Sequence, residues 1–121
     1  MLVEYVGVIF GNSDSRKFTS NSAQLIKVKG LGLIKVLFCP HYNIEKHRQE
    51  DLKRMMKNTY KIPALALENG VALEVIDDKY RLIRSIPNTH AYKCYWSKGK
   101  YIKQEIEIMS AFKSISELYK K

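Results

Sequence analysis

The alternation of apolar and polar positions changes rhythm near the middle of the chain. Val3 to Phe10 (VEYVGVIF) is a short, mostly apolar run closed by Gly11, the pattern of a strand buried on both faces of a parallel sheet. From Asn12 to Lys29 the chain is polar, with four serines and no clean period, which predicts a loop with helix at most before Leu25. Gly30-Leu31-Gly32 signals a turn, and Ile34 to Cys39 (IKVLFC) a second buried strand. Pro40 stops that strand because it has no N–H for the ladder. Asn43 is placed to cap a helix in which Leu52, Met55 and Met56 recur at helical spacing among charged residues from Glu45 to Lys57. The methionines are read as core.

Pro63 to Leu67 (PALAL) predicts a third short strand, and Glu68-Asn69-Gly70 a turn. Beyond it the rhythm becomes strand and strand. Val71, Leu73 and Val75 alternate with polar or small residues, Asp77-Asp78 turns the chain, and Tyr80 and Leu82 alternate again, which describes a hairpin. A second hairpin is expected from Ala91 to Ile108 across Ser97-Lys98-Gly99-Lys100, and Ile115 and Leu118 suggest a short terminal helix. The chain has no internal repeat and no convincing linker. The expectation is one α/β domain over residues 1–121: part of an open sheet in the first half, antiparallel additions at its edge in the second.

Composition narrows the class. Of 121 residues, 45% are hydrophobic and 27% charged, enough apolar material for a modest core. No apolar stretch approaches the roughly 20 residues that span a bilayer, and Met1-Leu2-Val3-Glu4 lacks the layout of a secretory signal. A cytoplasmic protein without membrane contact is expected. The formal charge of +9 raises nucleic-acid binding, but lysines and arginines are scattered from Arg16 to Lys121 without a basic block or an aromatic RNA-binding signature. Nucleic acid is therefore a disfavoured partner. Cys39 and Cys94 form no Cys-x-x-Cys pair and read as two buried thiols. His41, His47 and His90 show no metal-ligand spacing, His47 reading as a solvated helix residue; neither metal nor cofactor is expected.

A serine hydrolase needs a nucleophile on a tight strand-to-helix turn, a histidine to take its proton and a carboxylate to hold that histidine in the right tautomer. His41 and Glu68 each lie just beyond a predicted strand, where side chains face the crevice at a sheet's C-terminal edge. Three segments, Tyr5-Val6-Gly7-Val8-Ile9-Phe10-Gly11, Cys39-Pro40-His41-Tyr42-Asn43 and Ala64-Leu65-Ala66-Leu67-Glu68-Asn69-Gly70, stand in the order of the motifs of the peptidase E family, the aspartyl dipeptidases and their cyanophycinase relatives. Those motifs are a strand ending Gly-x-Ser-Ala-Gly, then Pro-His-Tyr or Pro-His-Phe, then an apolar strand followed by an acidic residue near a glycine. Gly30-Leu31-Gly32-Leu33 and Ala91-Tyr92-Lys93 resemble the family's run before the histidine strand and its closing strand.

The resemblance implies a class I glutamine amidotransferase-like (flavodoxin-like) α/β sheet and serine-type hydrolysis of short peptides with an N-terminal acidic residue. It makes His41 the general base, Glu68 the carboxylate that orients it, and Arg48 a contact for the acidic substrate side chain, against the plainer reading of Arg48 as a surface helix residue. The serine position falls on Ile9, whose side chain has neither a proton to transfer nor a lone pair to attack a carbonyl. Phe10 stands where the family has alanine and, with Gly11, frames the oxyanion hole, which its bulk would crowd. Ser13 and Ser15 are read as ordinary loop or cap serines, and Cys39, on the same strand face as His41, as a buried thiol. Relatives carry further strands ahead of the serine motif. A homo-oligomer or a separate N-terminal partner is therefore expected to cover the edge beside Val3 to Phe10, and the site is expected to hold an acidic dipeptide or peptide without hydrolysing it.

Overall fold

The computed structural model describes residues 34–44, 48–57 and 62–120, and the backbone of residues 8–9 and 26–27. Its centre is a four-stranded sheet in the order β3, β4, β7, β8, formed by Leu37–Cys39, Ala64–Leu67, Ala91–Ser97 and Lys100–Ile106. β3 and β4 run parallel, Leu37 opposite Ala64 and Cys39 opposite Ala66. They are joined through α1 (Arg48–Lys57), as a parallel pair requires a crossover. β7 returns antiparallel to β4, and β8 antiparallel to β7. A second sheet has three strands in the order β5 (Val71–Ile76), β6 (Lys79–Arg84) and β9 (Lys113–Ser114), followed by the one-turn helix α2 (Ser116–Tyr119).

Strand alternation sorts the side chains into two cores. Leu37, Cys39, Ala64, Ala66 and Cys94 face Leu52 and Met56 of α1, with Met55, Tyr92, Trp96 and Tyr101 packed around them. Small residues on this face leave room for the helix to approach, and Trp96 Nε1 donates to the Lys53 carbonyl of α1 at 2.9 Å. On the other face Val36, Leu65, Leu67 and Ala91 meet Tyr80 and Leu82 of β6 and Leu118 of α2. The molecule is thus layered as helix, central sheet and small sheet over the described residues.

Both expected hairpins are present, the first turning at Asp77-Asp78 and the second at Lys98-Gly99. Lys98 and Gly99 both have positive φ (51° and 78°), the twist that suits a two-residue hairpin turn. The expected second strand is shorter than its apolar run: residues 34–36 are bent and only Leu37–Cys39 enter the ladder. The N-terminal expectation needs correction. Val8–Ile9 (β1) pairs antiparallel with Ile26–Lys27 (β2), so the pairing described for the first run is antiparallel where a parallel one was expected, and a two-residue strand lies within the stretch read as loop. A short apolar run does not reveal the direction of its neighbour.

The turn from β4 into β5 is closed by the Val71 N–H donating to the Glu68 carbonyl at 3.1 Å. Gly70 takes φ 87° at its third position, as a type II turn demands. A Cβ at Gly70 would lie 2.6–2.7 Å from Cδ1 and Cγ1 of Ile86. Gly70→Ala is expected to lower the unfolding free energy by about 1–2 kcal/mol, the cost of an L-residue in left-handed backbone, with a further loss from displacing Ile86; urea unfolding monitored by circular dichroism measures it. Cys39 and Cys94 are both fully enclosed, and burial raises both thiols, that of Cys39 well above its ordinary range. A thiol-specific disulfide reagent is therefore expected to modify neither in the native protein and both in denaturant; rapid labelling of the native protein would contradict this packing.

Candidate active site

The ends of β3 and β4 lie side by side because the two strands are parallel and in register, and the loops leaving them are stitched together. The Tyr42 N–H donates to the Leu67 carbonyl at 2.9 Å, and the Asn69 N–H donates to Asn43 Oδ1 at 2.8 Å. Immediately before them in the chain is His41, exposed and with φ 54°, a left-handed conformation uncommon for a residue with a side chain. Pro40 has ended the ladder, and His41 reverses the chain so that Tyr42 turns back into the helix-side core. The His41 Nδ1 lies 2.8 Å from Asn69 Oδ1.

Arg48 supports this loop from beneath. It is buried at the start of α1, and its Nη1 donates to the Pro40 carbonyl at 3.0 Å and to the His41 carbonyl at 3.4 Å. Charge-assisted bonds of this kind contribute roughly 1.5–3 kcal/mol each, and here they hold the residue whose backbone is least favourable. The plainer reading of Arg48 as a surface helix residue needs correction: it is buried, and these two bonds turn its guanidinium toward backbone carbonyls. The Asn43 side-chain oxygen accepts from Asn69; residues 45–47, where its capping of α1 would be seen and where His47 lies, are outside the described residues.

Glu68 is turned the other way, toward β7. Its Oε1 accepts the His90 N–H at 2.9 Å while its own N–H donates to the His90 carbonyl at 3.1 Å. The carboxylate also acts on Tyr92, whose phenol is raised first by burial and then by the negative charges of Glu68 and Glu105. His90 Nδ1 meets Glu105 Oε2 at 3.2 Å, and the Lys103 ammonium lies 4.4 Å from the Tyr92 ring centroid and 5.1 Å from that of Tyr42. The described site is therefore a row at the strand ends: His41 with Asn69 on one side of β4, Glu68 with His90 on the other.

Of the sequence-derived site residues, His41, Arg48 and Glu68 share one edge of the sheet. The partner His41 meets is the residue after Glu68. Cys39 lies two residues before His41 but points into the helix-side core, and its raised thiol has no thiolate to offer. Phe10 and Gly11 fall outside the described residues, and Ile9 is seen only as backbone in β1. Sequence reading passed over Asn69, treating it as a turn former. The signal available was its position: an amide side chain at the first corner of a turn leaving a strand beside the histidine strand. Among the described residues no group of three or more His, Cys, Asp or Glu side chains is placed to hold a metal ion.

Comparison with known proteins bears on the same edge. The profile of peptidase family S51 matches residues 8–83, a span that runs from β1 through the His41 and Asn69 loops into β6. Over 76 residues the chain is 30% identical to an uncharacterized peptidase, YgaJ, of Bacillus subtilis (strain 168), an alignment covering 62% of this chain and 33% of that protein. The chain thus spans about a third of the length of the curated relative it matches. No solved structure matches it. The matched span takes in the strand carrying Ile9, the histidine loop and the turn that faces it, and the chain belongs to peptidase family S51.

Proposed function

We propose that this chain is a peptidase E-like homologue of serine-type dipeptidases that does not hydrolyse peptides, built on a class I glutamine amidotransferase-like sheet and keeping a site for a short acidic peptide. What supports the reading most directly is the treatment of His41. A left-handed backbone, two arginine bonds and a side-chain amide fix one exposed imidazole at the end of a parallel strand, beyond what a histidine serving only as surface would need. The parallel β3–α1–β4 unit agrees with the proposed scaffold, whose ligand crevice lies at the carboxyl ends of its strands.

In a working serine hydrolase the imidazole takes the serine proton as the hydroxyl attacks the scissile carbonyl, then returns it to the leaving amine. With isoleucine at the nucleophile position the first transfer has no donor. His41 is left able to exchange hydrogen bonds with a ligand, Lys103 over the Tyr42 and Tyr92 rings adds positive charge for a peptide carboxylate, and the buried Arg48 adds its charge from beneath the loop. Purified protein incubated with aspartyl dipeptides is expected to release no amino acid above the buffer rate, measured by ninhydrin or mass spectrometry. Turnover that disappears in His41→Ala would overturn the claim of inactivity.

A second reading, a non-catalytic module that self-associates or binds a partner, is favoured by the small sheet. Ile76, Ile83 and Ile86 are each about half exposed on or beside β5 and β6, large apolar side chains for an outward surface. Sedimentation velocity over a wide concentration range is expected to show concentration-dependent association that Ile83→Lys weakens. A monomer at every concentration would remove self-association from this reading.

A further inference from the structure

We propose that Asn69, rather than Glu68, orients His41, and that it holds the imidazole as the Nδ1–H tautomer with Nε2 unprotonated and free to accept. The proposal rests on the reading of His41 as the histidine of a former triad and names the residue that now positions it. The argument begins with donor and acceptor inventory. The oxygen of a side-chain amide carries lone pairs and no proton, so at 2.8 Å from Asn69 Oδ1 the His41 Nδ1 must be the donor. The second ring nitrogen is then the unprotonated one.

Both partners are held by bonds other than the one between them. Asn69 stands at the first corner of the turn closed by Val71 and Glu68, with Gly70 behind it and its own N–H bound to Asn43 Oδ1. His41 is set by its left-handed backbone and by Arg48 on its carbonyl. A rigid acceptor facing a rigid ring costs little further ordering when the bond forms. Glu68 does not compete. Its carboxylate is bound to the His90 N–H on the β7 side of β4, away from the His41 loop.

The substitution of an amide for a carboxylate at this place changes what the histidine can do. A carboxylate both orients imidazole and supplies the negative charge that stabilises imidazolium as a proton is taken up. An amide orients without that charge. His41 is thereby set up as a hydrogen-bond acceptor at Nε2, suited to a ligand N–H or O–H group, in a site where the nucleophile position has also lost its proton donor. Ile9 on β1 and Asn69 in the turn after β4 point the same way.

The test reads the tautomer directly and needs no substrate. The chain has three histidines, so long-range ¹H–¹⁵N spectra of the full-length ¹⁵N-labelled protein, recorded at alkaline pH and assigned with His41→Gln, isolate the His41 ring. The wild type is expected to show a protonated Nδ1 and an unprotonated Nε2. Asn69→Ala should move the majority of the ring to the Nε2–H form, Asn69→Asp should retain the wild-type pattern because a carboxylate also accepts, and Glu68→Gln should leave it unchanged. A wild-type His41 found mainly as Nε2–H would overturn the proposal, since the Asn69 amide would then be reversed. So would a ring that responds to Glu68→Gln and not to Asn69→Ala. Should Asn69→Ala fail to fold, the wild-type tautomer and the Asp and Gln variants decide the matter. Peptide turnover by the chain would overturn the proposed inactivity while leaving this result standing, so the two failures are distinguishable.

Discussion

The described structure depends on the burial of β4 on both faces. Four residues, Ala64, Leu65, Ala66 and Leu67, are all enclosed, and their alternation decides how the layers sit. Alanines on one side admit α1 at close range; leucines on the other fill the larger gap to the small sheet. Exchanging the two sets by a one-residue slip would present leucines to the helix and alanines to the small sheet, so the register of β4 with β3 and β7 is strongly specified. Close packing on both sides also leaves the strand little freedom to shift along its axis.

That fixed register determines the chemistry at its end. Because β3 and β4 are parallel and aligned, the loops after Cys39 and Leu67 emerge side by side, and backbone bonds between them follow without further design. The site is an edge feature: His41, Glu68 and Asn69 each lie within two residues of a strand end, and the rigid part lies beneath them. Arg48 carries the support across layers, since a guanidinium rooted in α1 holds carbonyls of the histidine loop.

Most of the second half was legible from residue order. The Asp77-Asp78 and Lys98-Gly99 turns and the alternation around them are local signals, and both hairpins stand where those signals put them. Strands ended by Pro40 and by the Glu68-Asn69-Gly70 turn were legible for the same reason. What the sequence could not convey depended on neighbours distant along the chain. The direction of the Val8–Ile9 pairing is one case, since apolar runs carry no polarity of their own. Burial of Arg48 is another: a cation surrounded by Gln49, Glu50 and Asp51 looks solvated until the carbonyls of the preceding loop are seen to turn toward it. The partner of His41 is a third. Counting residues from a strand end identifies a carboxylate and an amide in succession, and only the turn geometry decides which of the two faces the ring.

The bond between Trp96 and the Lys53 carbonyl gives the molecule a built-in optical reporter. Trp96 is the only tryptophan in the chain, its indole N–H is committed to α1, and its ring lies against Tyr101 with a centroid separation of 5.4 Å. Its emission therefore senses the seating of one helix on one face of the sheet. Because the same helix carries Arg48 to the back of the histidine loop, light from a residue far from His41 records whether the floor beneath that imidazole is in place.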